Sequence, residues 1–190
     1  MIRLAILGST RGTNLDALVS AICENRLTAS IEIVISNKSD ALILEKAARF
    51  NLKTLFVDPK NLNRDGYDLL LSEILIERKI DLVVLIGYMR ILSAQFVLSW
   101  HKKIINIHPS LLPKYSGLMD LAVHRAVLDA AEKETGCTVH FVNEEVDSGP
   151  IILQKSCPVL ADDNAEILKA RVQQLEGKAL VEAIQILFKE

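Results

Sequence analysis

The sequence alternates short, continuously apolar runs with longer stretches in which apolar residues recur every three or four positions. The first run covers residues 2–7, and Leu15, Leu18 and Ile22 follow it at helical spacing. A continuous apolar run is typical of a strand buried on both faces, and the spacing is typical of an amphipathic helix. Because this unit recurs along the chain, the sequence predicts an α/β fold with a mostly parallel sheet and helices on both faces.

The same patterns predict the order of the elements. The predicted strands cover residues 2–7, 31–35, 54–57, 81–86, 103–107, 138–142 and 150–153. Helices are predicted between them, including a brief one at 93–98, and a long helix follows the last strand. Thr13 with Asp16, and Asp163 with Glu166, have capping-box spacing and are expected to start the first and last helices. A polar loop joins the last two strands, which predicts an antiparallel edge.

Length and composition narrow the classes of ligand. The 190 residues favour a single domain over 1–190, and the hydrophobic share of 50% excludes disordered and low-complexity chains. A net charge of −2 argues against nucleic acid as a partner. The most apolar run, from Leu82 to Met89, is far shorter than the roughly 20 residues that span a bilayer. We therefore expect small-molecule substrates, no nucleic acid and no membrane.

The cysteines and the start of the chain indicate a compartment. Cys23, Cys137 and Cys157 are widely spaced and form no CxxC motif, so we expect neither a disulfide framework nor a metal site. The first residues lack the long apolar segment and the cleavage site of a secretory signal. These features favour a reduced protein of the cytoplasm.

A loop with two glycines follows the first predicted strand. Residues 8–14 read Gly-Ser-Thr-Arg-Gly-Thr-Asn and lead into the first helix. Backbone N–H groups at a helix start, with Arg11 beside them, favour an anion such as a phosphate. The loop matches neither the dinucleotide nor the nucleoside triphosphate fingerprint, and an ordinary strand-to-helix turn remains the alternative.

Two further segments combine an amide, an imidazole and a carboxylate. Alternation along a strand places Asn106 and His108 on one face, which suits binding of an oxyanion. The later acidic loop contains Asp147, which can hold His108 in one protonation state if the two meet. A solvated strand end and a simple acidic turn are the structural alternatives. Two other histidines are not expected to be catalytic. His140 is expected to have a structural or hydrogen-bonding role, and His124 is expected to begin an amphipathic helix.

Four segments together resemble a known family. They are Gly-Thr-Asn at 12–14, Tyr-Met-Arg-Ile-Leu-Ser at 88–93, Asn-Ile-His-Pro-Ser-Leu-Leu-Pro at 106–113 and Val-Asp-Ser-Gly-Pro at 146–150. Over essentially the whole chain, the sequence is similar to the phosphoribosylglycinamide formyltransferases of purine biosynthesis. The resemblance implies one Rossmann-like formyltransferase domain. Residues 1–100 would form its phosphate-binding half, and residues 101–190 its catalytic and folate-binding half.

The resemblance also implies a role for individual residues. Asn106, His108 and Asp147 would be catalytic. The phosphoribosylglycinamide would be bound by Arg11, Gly12, Thr13, Asn14 and Glu176. The co-substrate 10-formyltetrahydrofolate would be bound by Arg64, Met89, Arg90, Ile91, Leu92 and Asn106. No metal is implied, and the enzyme would be a monomer or a homodimer.

The sequence departs from the common family pattern at three places and leaves two other functions open. Ser116 replaces a usual proline, the segment 118–123 is about three residues longer, and Gly177 stands where a histidine is common. A formyltetrahydrofolate hydrolase would use the same catalytic residues on water. A non-catalytic module would only bind a phosphorylated ligand through the loop at 8–14.

Overall fold

The computed structural model describes residues 1–189 and contains one seven-stranded sheet. The strands are β1 (Ile2–Leu7), β2 (Ala29–Ser36), β3 (Thr54–Phe56), β4 (Leu82–Leu85), β5 (Ile104–His108), β6 (Glu134–Phe141) and β7 (Ile151–Pro158). Their order in the sheet is β3-β2-β1-β4-β5-β6-β7. The first five strands pair in parallel, whereas β6 and β7 are antiparallel. The predicted α/β class, the mostly parallel sheet and the antiparallel edge are confirmed.

Six helices connect or follow these strands in the part of the chain that the structure describes. They are α1 (Leu15–Cys23), α2 (Leu42–Arg49), α3 (Arg64–Glu77), α4 (Ala94–Ser99), α5 (Leu121–Asp129) and α6 (Ala165–Leu187). The sixth predicted strand extends further at its start, and the seventh extends beyond its predicted end. The helix expected to begin at His124 begins three residues earlier.

Both capping-box predictions were wrong. Helix α1 is preceded by Asn14 at the N-cap, and its side chain makes no capping hydrogen bond. Helix α6 is capped by Asn164, whose side chain accepts a hydrogen bond from the Ile167 N–H. Asp163 instead forms an ion pair with Arg171. A local spacing rule cannot detect this competition, because the arginine lies two turns further along the helix.

The hydrophobic core lies in two layers, one on each face of the sheet. Successive residues of β1 enter opposite layers: Leu4 and Ile6 pack with α1, α2 and α6, whereas Ala5 and Leu7 pack with α3 and α4. Both sets are fully buried. Burial on both faces explains why the strand sequence is apolar throughout rather than alternating.

The strand order creates a crevice beside β1. The chain moves from β1 outward to β3 and then returns to β4 on the other side of β1. The loops after β1 and β4 therefore diverge at the carboxyl ends of neighbouring strands, which is where open α/β sheets bind ligands. None of the helices described in residues 1–189 is both long and apolar enough to cross a membrane.

Candidate active site

Strand β5 ends at the predicted amide and imidazole. Asn106 and His108 lie two residues apart, and both contact Asp147 from the loop between β6 and β7. The His108 Nδ1 atom lies 3.1 Å from Asp147 Oδ2, and the Asn106 Nδ2 atom lies 3.5 Å from Asp147 Oδ1. The structure therefore brings the three predicted catalytic residues together, although Asp147 is 39 positions beyond His108 in the chain.

Asp147 is an ionised group held in a mostly enclosed position. Its side chain is 9% exposed, and its φ of 55° lies in the left-handed region. Burial alone would raise the pKa of this carboxyl. Contacts with His108 and His140, and a hydrogen bond from the Gly117 N–H, outweigh burial and hold the pKa well below its usual range. The carboxylate is thus a fixed negative charge beside the imidazole.

The partners of His108 favour its doubly protonated form. Its Nε2 atom lies 3.1 Å from the Tyr115 carbonyl oxygen, and its Nδ1 atom faces the Asp147 carboxylate. Both partners can only accept hydrogen bonds, so each ring nitrogen has to donate one. The geometry is therefore suited to an imidazolium that can stabilise negative charge and release a proton.

His140 lies directly opposite Asn106 in the pairing of β5 with β6. Its Nδ1 atom lies 2.9 Å from the Phe141 carbonyl oxygen, and its Nε2 atom lies 3.2 Å from the Asn106 amide nitrogen. The same Nε2 lies 3.7 Å from Asp147 Oδ1. His140 is only 2% exposed. Its contacts orient the Asn106 amide and leave His140 enclosed behind it.

A second loop, residues 115–117, covers the side chains that are predicted to be catalytic. Besides the contacts of the Tyr115 carbonyl and the Gly117 N–H, the Ser116 hydroxyl donates to the Val146 carbonyl at 3.3 Å. Tyr115 and Gly117 both have positive φ values, 62° and 77°. Sequence reasoning missed this cover because backbone groups make most of its contacts, and every residue type has the same backbone groups.

The loop after β1 contains the predicted phosphate site. Gly12 has a φ of 64°, and a Cβ atom there would lie 2.4 Å from the Ile43 side chain. The glycine is therefore required by its own backbone conformation and by the packing of α2, in addition to any ligand. Arg11 and Thr13 are exposed beside it.

Asn14 and Glu176 meet although 162 residues separate them. The Asn14 Nδ2 atom donates to Glu176 Oε2 at 2.8 Å, and both side chains are buried. Burial raises the pKa of Glu176, while Asn14, His108 and Lys169 oppose that shift. Gly177 lets α6 approach α1, because a Cβ there would lie 2.6 Å from the Ala17 Cβ. Asn14 and Glu176 thus lie at the junction of α1 and α6, next to the loop that contains Arg11, Gly12 and Thr13.

The predicted folate segment, residues 89–92, follows β4 on the other side of the crevice. Met89 and Ile91 are 44% and 60% exposed, and Leu92 is buried. The Arg90 guanidinium lies 4.2 Å from the centre of the Tyr67 ring. Arg64 is exposed in the first turn of α3, one turn before Tyr67, and has no hydrogen bond or ion pair within residues 1–189.

Two buried residues that the sequence did not identify hold this segment. The Ser9 hydroxyl accepts a hydrogen bond from the Met89 N–H at 2.9 Å, and the Asp68 carboxylate accepts one from the Ser93 N–H at 2.5 Å. The only available signal was the carboxylate of Asp68 beside the apolar face of α3, whereas Ser9 lies in a loop where a polar residue is ordinary.

Within residues 1–189, four buried polar atoms have no hydrogen-bond partner. They are Asp68 Oδ1, Tyr88 Oη, Arg90 Nε and His124 Nδ1. The first three belong to residues on or next to the folate segment. Burial lowers the pKa of His124 to about 4, with Lys169 contributing, so this side chain is neutral near pH 7. No cluster of three or more potential metal ligands occurs in the same residues.

Comparison with known proteins assigns these features to a family. The sequence model of the formyl transferase family matches residues 2–184. The chain is 41% identical over 174 residues to the phosphoribosylglycinamide formyltransferase of Escherichia coli, covering 91% of this chain and 81% of that protein. It is 43% identical over 185 residues to the human trifunctional purine biosynthetic protein adenosine-3, covering 97% of this chain. The chain spans only 14% to 18% of the length of such trifunctional relatives from fly, chicken, cattle and human.

Solved structures agree with this assignment. The glycinamide ribonucleotide transformylase 1 of Symbiobacterium toebii has a TM-score of 0.91 and 42% identity, with coverage of 97% of this chain and 86% of that one. The enzyme of the same name from Geobacillus kaustophilus has a TM-score of 0.92 and 33% identity over the whole of both chains.

Proposed function

The chain belongs to the formyl transferase family, and we propose that it transfers the formyl group of 10-formyltetrahydrofolate to the amine of phosphoribosylglycinamide in purine biosynthesis. One observation carries the proposal: Asn106, His108 and Asp147 meet in an enclosed position beside the crevice. An amide donor, an imidazolium and a carboxylate are the groups that acyl transfer to an amine requires. Relatives that bear the name of this activity support the choice of substrates.

The two substrates occupy opposite sides of the crevice. Arg11, Gly12, Thr13 and Asn14 bind the phosphate through side chains and backbone N–H groups at the start of α1. Glu176, adjacent to Asn14, binds the ribose hydroxyls. This places residues from both halves of the chain in one subsite, so the halves 1–100 and 101–190 do not divide the substrates between them.

The folate co-substrate lies along residues 89–92. Met89 and Ile91 offer exposed apolar surface next to polar backbone groups, which suits a flat heteroaromatic ring with a hydrogen-bonding edge. Arg64, one turn before Tyr67 on α3, lies where it can attract the negatively charged end of the folate. Asn106 faces the formyl group at the junction of the two subsites.

Catalysis depends on stabilising the negative charge that develops on the formyl oxygen. The amine of phosphoribosylglycinamide attacks the formyl carbon, and Asn106 and the His108 imidazolium stabilise the oxygen as its charge develops. His108 then gives a proton to the departing folate nitrogen. Asp147 fixes the orientation of the imidazole through Nδ1, and the proton of the attacking amine passes through a water molecule to the imidazole that has given up its own proton, which restores His108.

The cover over the site has to move for this to happen. His108 Nε2 donates to the Tyr115 carbonyl, and the Asn106 amide nitrogen already faces His140 and Asp147. The formyl oxygen must replace the Tyr115 carbonyl oxygen as the partner of His108 Nε2. Residues 115–117 therefore shift when the substrates bind.

A spectrophotometric assay of tetrahydrofolate formation tests the function. We expect turnover only when both 10-formyltetrahydrofolate and phosphoribosylglycinamide are present, and no effect of a chelator. Turnover without the amine would identify a hydrolase. Binding of the phosphorylated substrate without any turnover would identify a non-catalytic module. Fractionation and sedimentation would test the proposed cytoplasmic location and the monomeric or homodimeric state.

A further inference from the structure

The folate segment is fastened at both ends by side chains that are distant in sequence. At its start the Met89 N–H donates to Ser9, 80 residues earlier, and after its end the Ser93 N–H donates to Asp68, 25 residues earlier. Ser9 is 4% exposed and Asp68 is 1% exposed. In these two contacts, buried polar side chains from other elements hold the backbone of the folate segment.

Asp68 is an unusual residue for a buried helical position. Burial disfavours its charge and raises its pKa, whereas the Ser93 N–H and the positive charge of Arg90 oppose that shift. Its Oδ1 atom has no partner. An apolar side chain would fill this position without the cost of burying a carboxylate. The hydrogen bond to Ser93 is the interaction that the carboxylate supplies and an apolar residue would not.

Ser9 connects the two sides of the crevice. Its N–H donates to the Gly87 carbonyl at 3.0 Å, and its hydroxyl donates to Asn37 Oδ1 at 2.6 Å while accepting from Met89. The residue belongs to the loop of β1 that leads into the phosphate site. One buried hydroxyl therefore joins the phosphate loop, the loop after β2 and the folate segment.

We propose that Ser9 and Asp68 are positioning residues for the folate co-substrate, acting as a two-point clamp on the backbone of residues 89–93. The clamp holds the polar backbone groups of the segment in the arrangement that the heteroaromatic ring recognises. Neither residue contacts the reacting atoms. The inference rests on the proposed function for the identity of the ligand, but the clamp itself is a property of the protein alone.

Steady-state kinetics of Ser9→Ala and Asp68→Ala test the clamp. Because one hydrogen bond to a buried backbone group is lost, we expect the KM for 10-formyltetrahydrofolate to rise about tenfold in each variant. The KM for phosphoribosylglycinamide should stay within about threefold, since the Ser9 N–H still binds Gly87. Asp68→Asn should restore much of the loss, because its amide oxygen still accepts from Ser93.

A matched control separates the clamp from simpler effects. Asp65→Asn removes an exposed carboxylate from the first turn of the same helix as Asp68. This control should keep the folate KM of the unmodified protein.

Amide hydrogen exchange provides a readout that needs no activity. In the ligand-free protein, residues 88–93 should exchange faster in Ser9→Ala and Asp68→Ala, while the strands exchange as before. An unchanged folate KM in both variants would overturn the proposal, and so would an equal rise in Asp65→Asn. If the unmodified protein shows no turnover, the proposed function fails, and exchange still decides whether the clamp exists.

Discussion

One carboxylate at the centre of the site has contacts with four other residues. Asp147 faces His108, Asn106 and His140 and accepts the Gly117 N–H. Contacts with His108 and His140 and the Gly117 N–H hold its pKa well below the usual range, so it stays charged between about pH 5 and 8. A limb of the pH–rate profile between about pH 5 and 8 therefore reports an imidazole rather than this carboxyl.

Removing either oxyanion donor should separate chemistry from binding. His108→Ala and Asn106→Ala are each expected to lower kcat by at least about a hundredfold, because general acids and oxyanion donors typically contribute that much. The KM for phosphoribosylglycinamide should change little, since we propose that its phosphate binds at the loop after β1. Near-normal kcat in His108→Ala would show that the histidine serves only the scaffold.

Asp147→Asn removes the charge but keeps the shape. The imidazolium loses its carboxylate partner, so the corresponding limb of the pH–rate profile should move to lower pH. Combined with His108→Ala, this change should cost much less than the product of the two separate losses, because the residues act as a unit. Fully multiplicative losses would mean that the two side chains act independently.

The phosphate site is best tested at Arg11. A Gly12→Val substitution looks attractive from the sequence, but the positive φ and the contact with Ile43 mean that it would disturb the loop itself. Arg11→Ala leaves the backbone unchanged and should raise the KM for phosphoribosylglycinamide several-fold at low salt. The difference from the unmodified protein should shrink as ionic strength rises. An equal rise in the folate KM would argue against a phosphate contact.

At the scale of elements, Gly177 sets how closely α6 approaches α1. Gly177→Ala places a methyl group 2.6 Å from the Ala17 Cβ, so the helices must separate. Overpacking of about 1–3 kcal/mol exceeds the gain of up to about 1 kcal/mol in helix propensity. We expect a lower free energy of unfolding in urea and a raised KM for phosphoribosylglycinamide, because Glu176 moves relative to Asn14.

A compensating substitution provides the control for this prediction. Ala17→Gly combined with Gly177→Ala removes the clash and should recover the KM, although the new glycine costs helix propensity. If the double variant keeps the raised KM, helix spacing is not the cause. The histidine common at this position in the family would need a wider gap between these helices than this chain has.

The elements were largely predictable, while several of their ends and contacts were not. Apolar runs identified all seven strands because burial on both faces leaves a strong local pattern. The cap of α1 was not predictable, since the Asn14 side chain is directed to Glu176 at the other end of the chain. Ser9 and Asp68 escaped detection for the same reason: their partners are backbone groups brought near only by the fold.

For the whole molecule, the buried His124 affects stability in acid. Its pKa of about 4 in the folded protein lies below the ordinary value near 6.5. Above pH 6.5 both states are neutral and the residue has no effect. Between pH 6.5 and 4 this histidine binds a proton in the unfolded chain but stays neutral in the folded protein. The free energy of unfolding therefore falls by up to about 1.4 kcal/mol for each pH unit of acidification.

Urea unfolding at several pH values checks this contribution. His124→Gln should flatten the decline between pH 6.5 and 4 and leave the slope between pH 7 and 8 unchanged. His101→Gln is the matched control, because His101 is exposed after α4. Equal slopes for His124→Gln and the unmodified protein would show that the histidine takes up its proton in the folded state.

The separation of Asn14 from Glu176 has a consequence for the order in which the protein is made. Asn106, His108 and Asp147 lie within a stretch of about 40 residues and leave the ribosome well before α6 is complete. The three proposed catalytic residues therefore emerge before the helix that carries Glu176, whereas β6 and β7 gain much of their packing only when α6 is present. The proposed ribose subsite is incomplete until Glu176 has emerged. During synthesis there is therefore a stage at which the chain already contains the residues proposed for formyl transfer but lacks the one proposed to bind the ribose of phosphoribosylglycinamide.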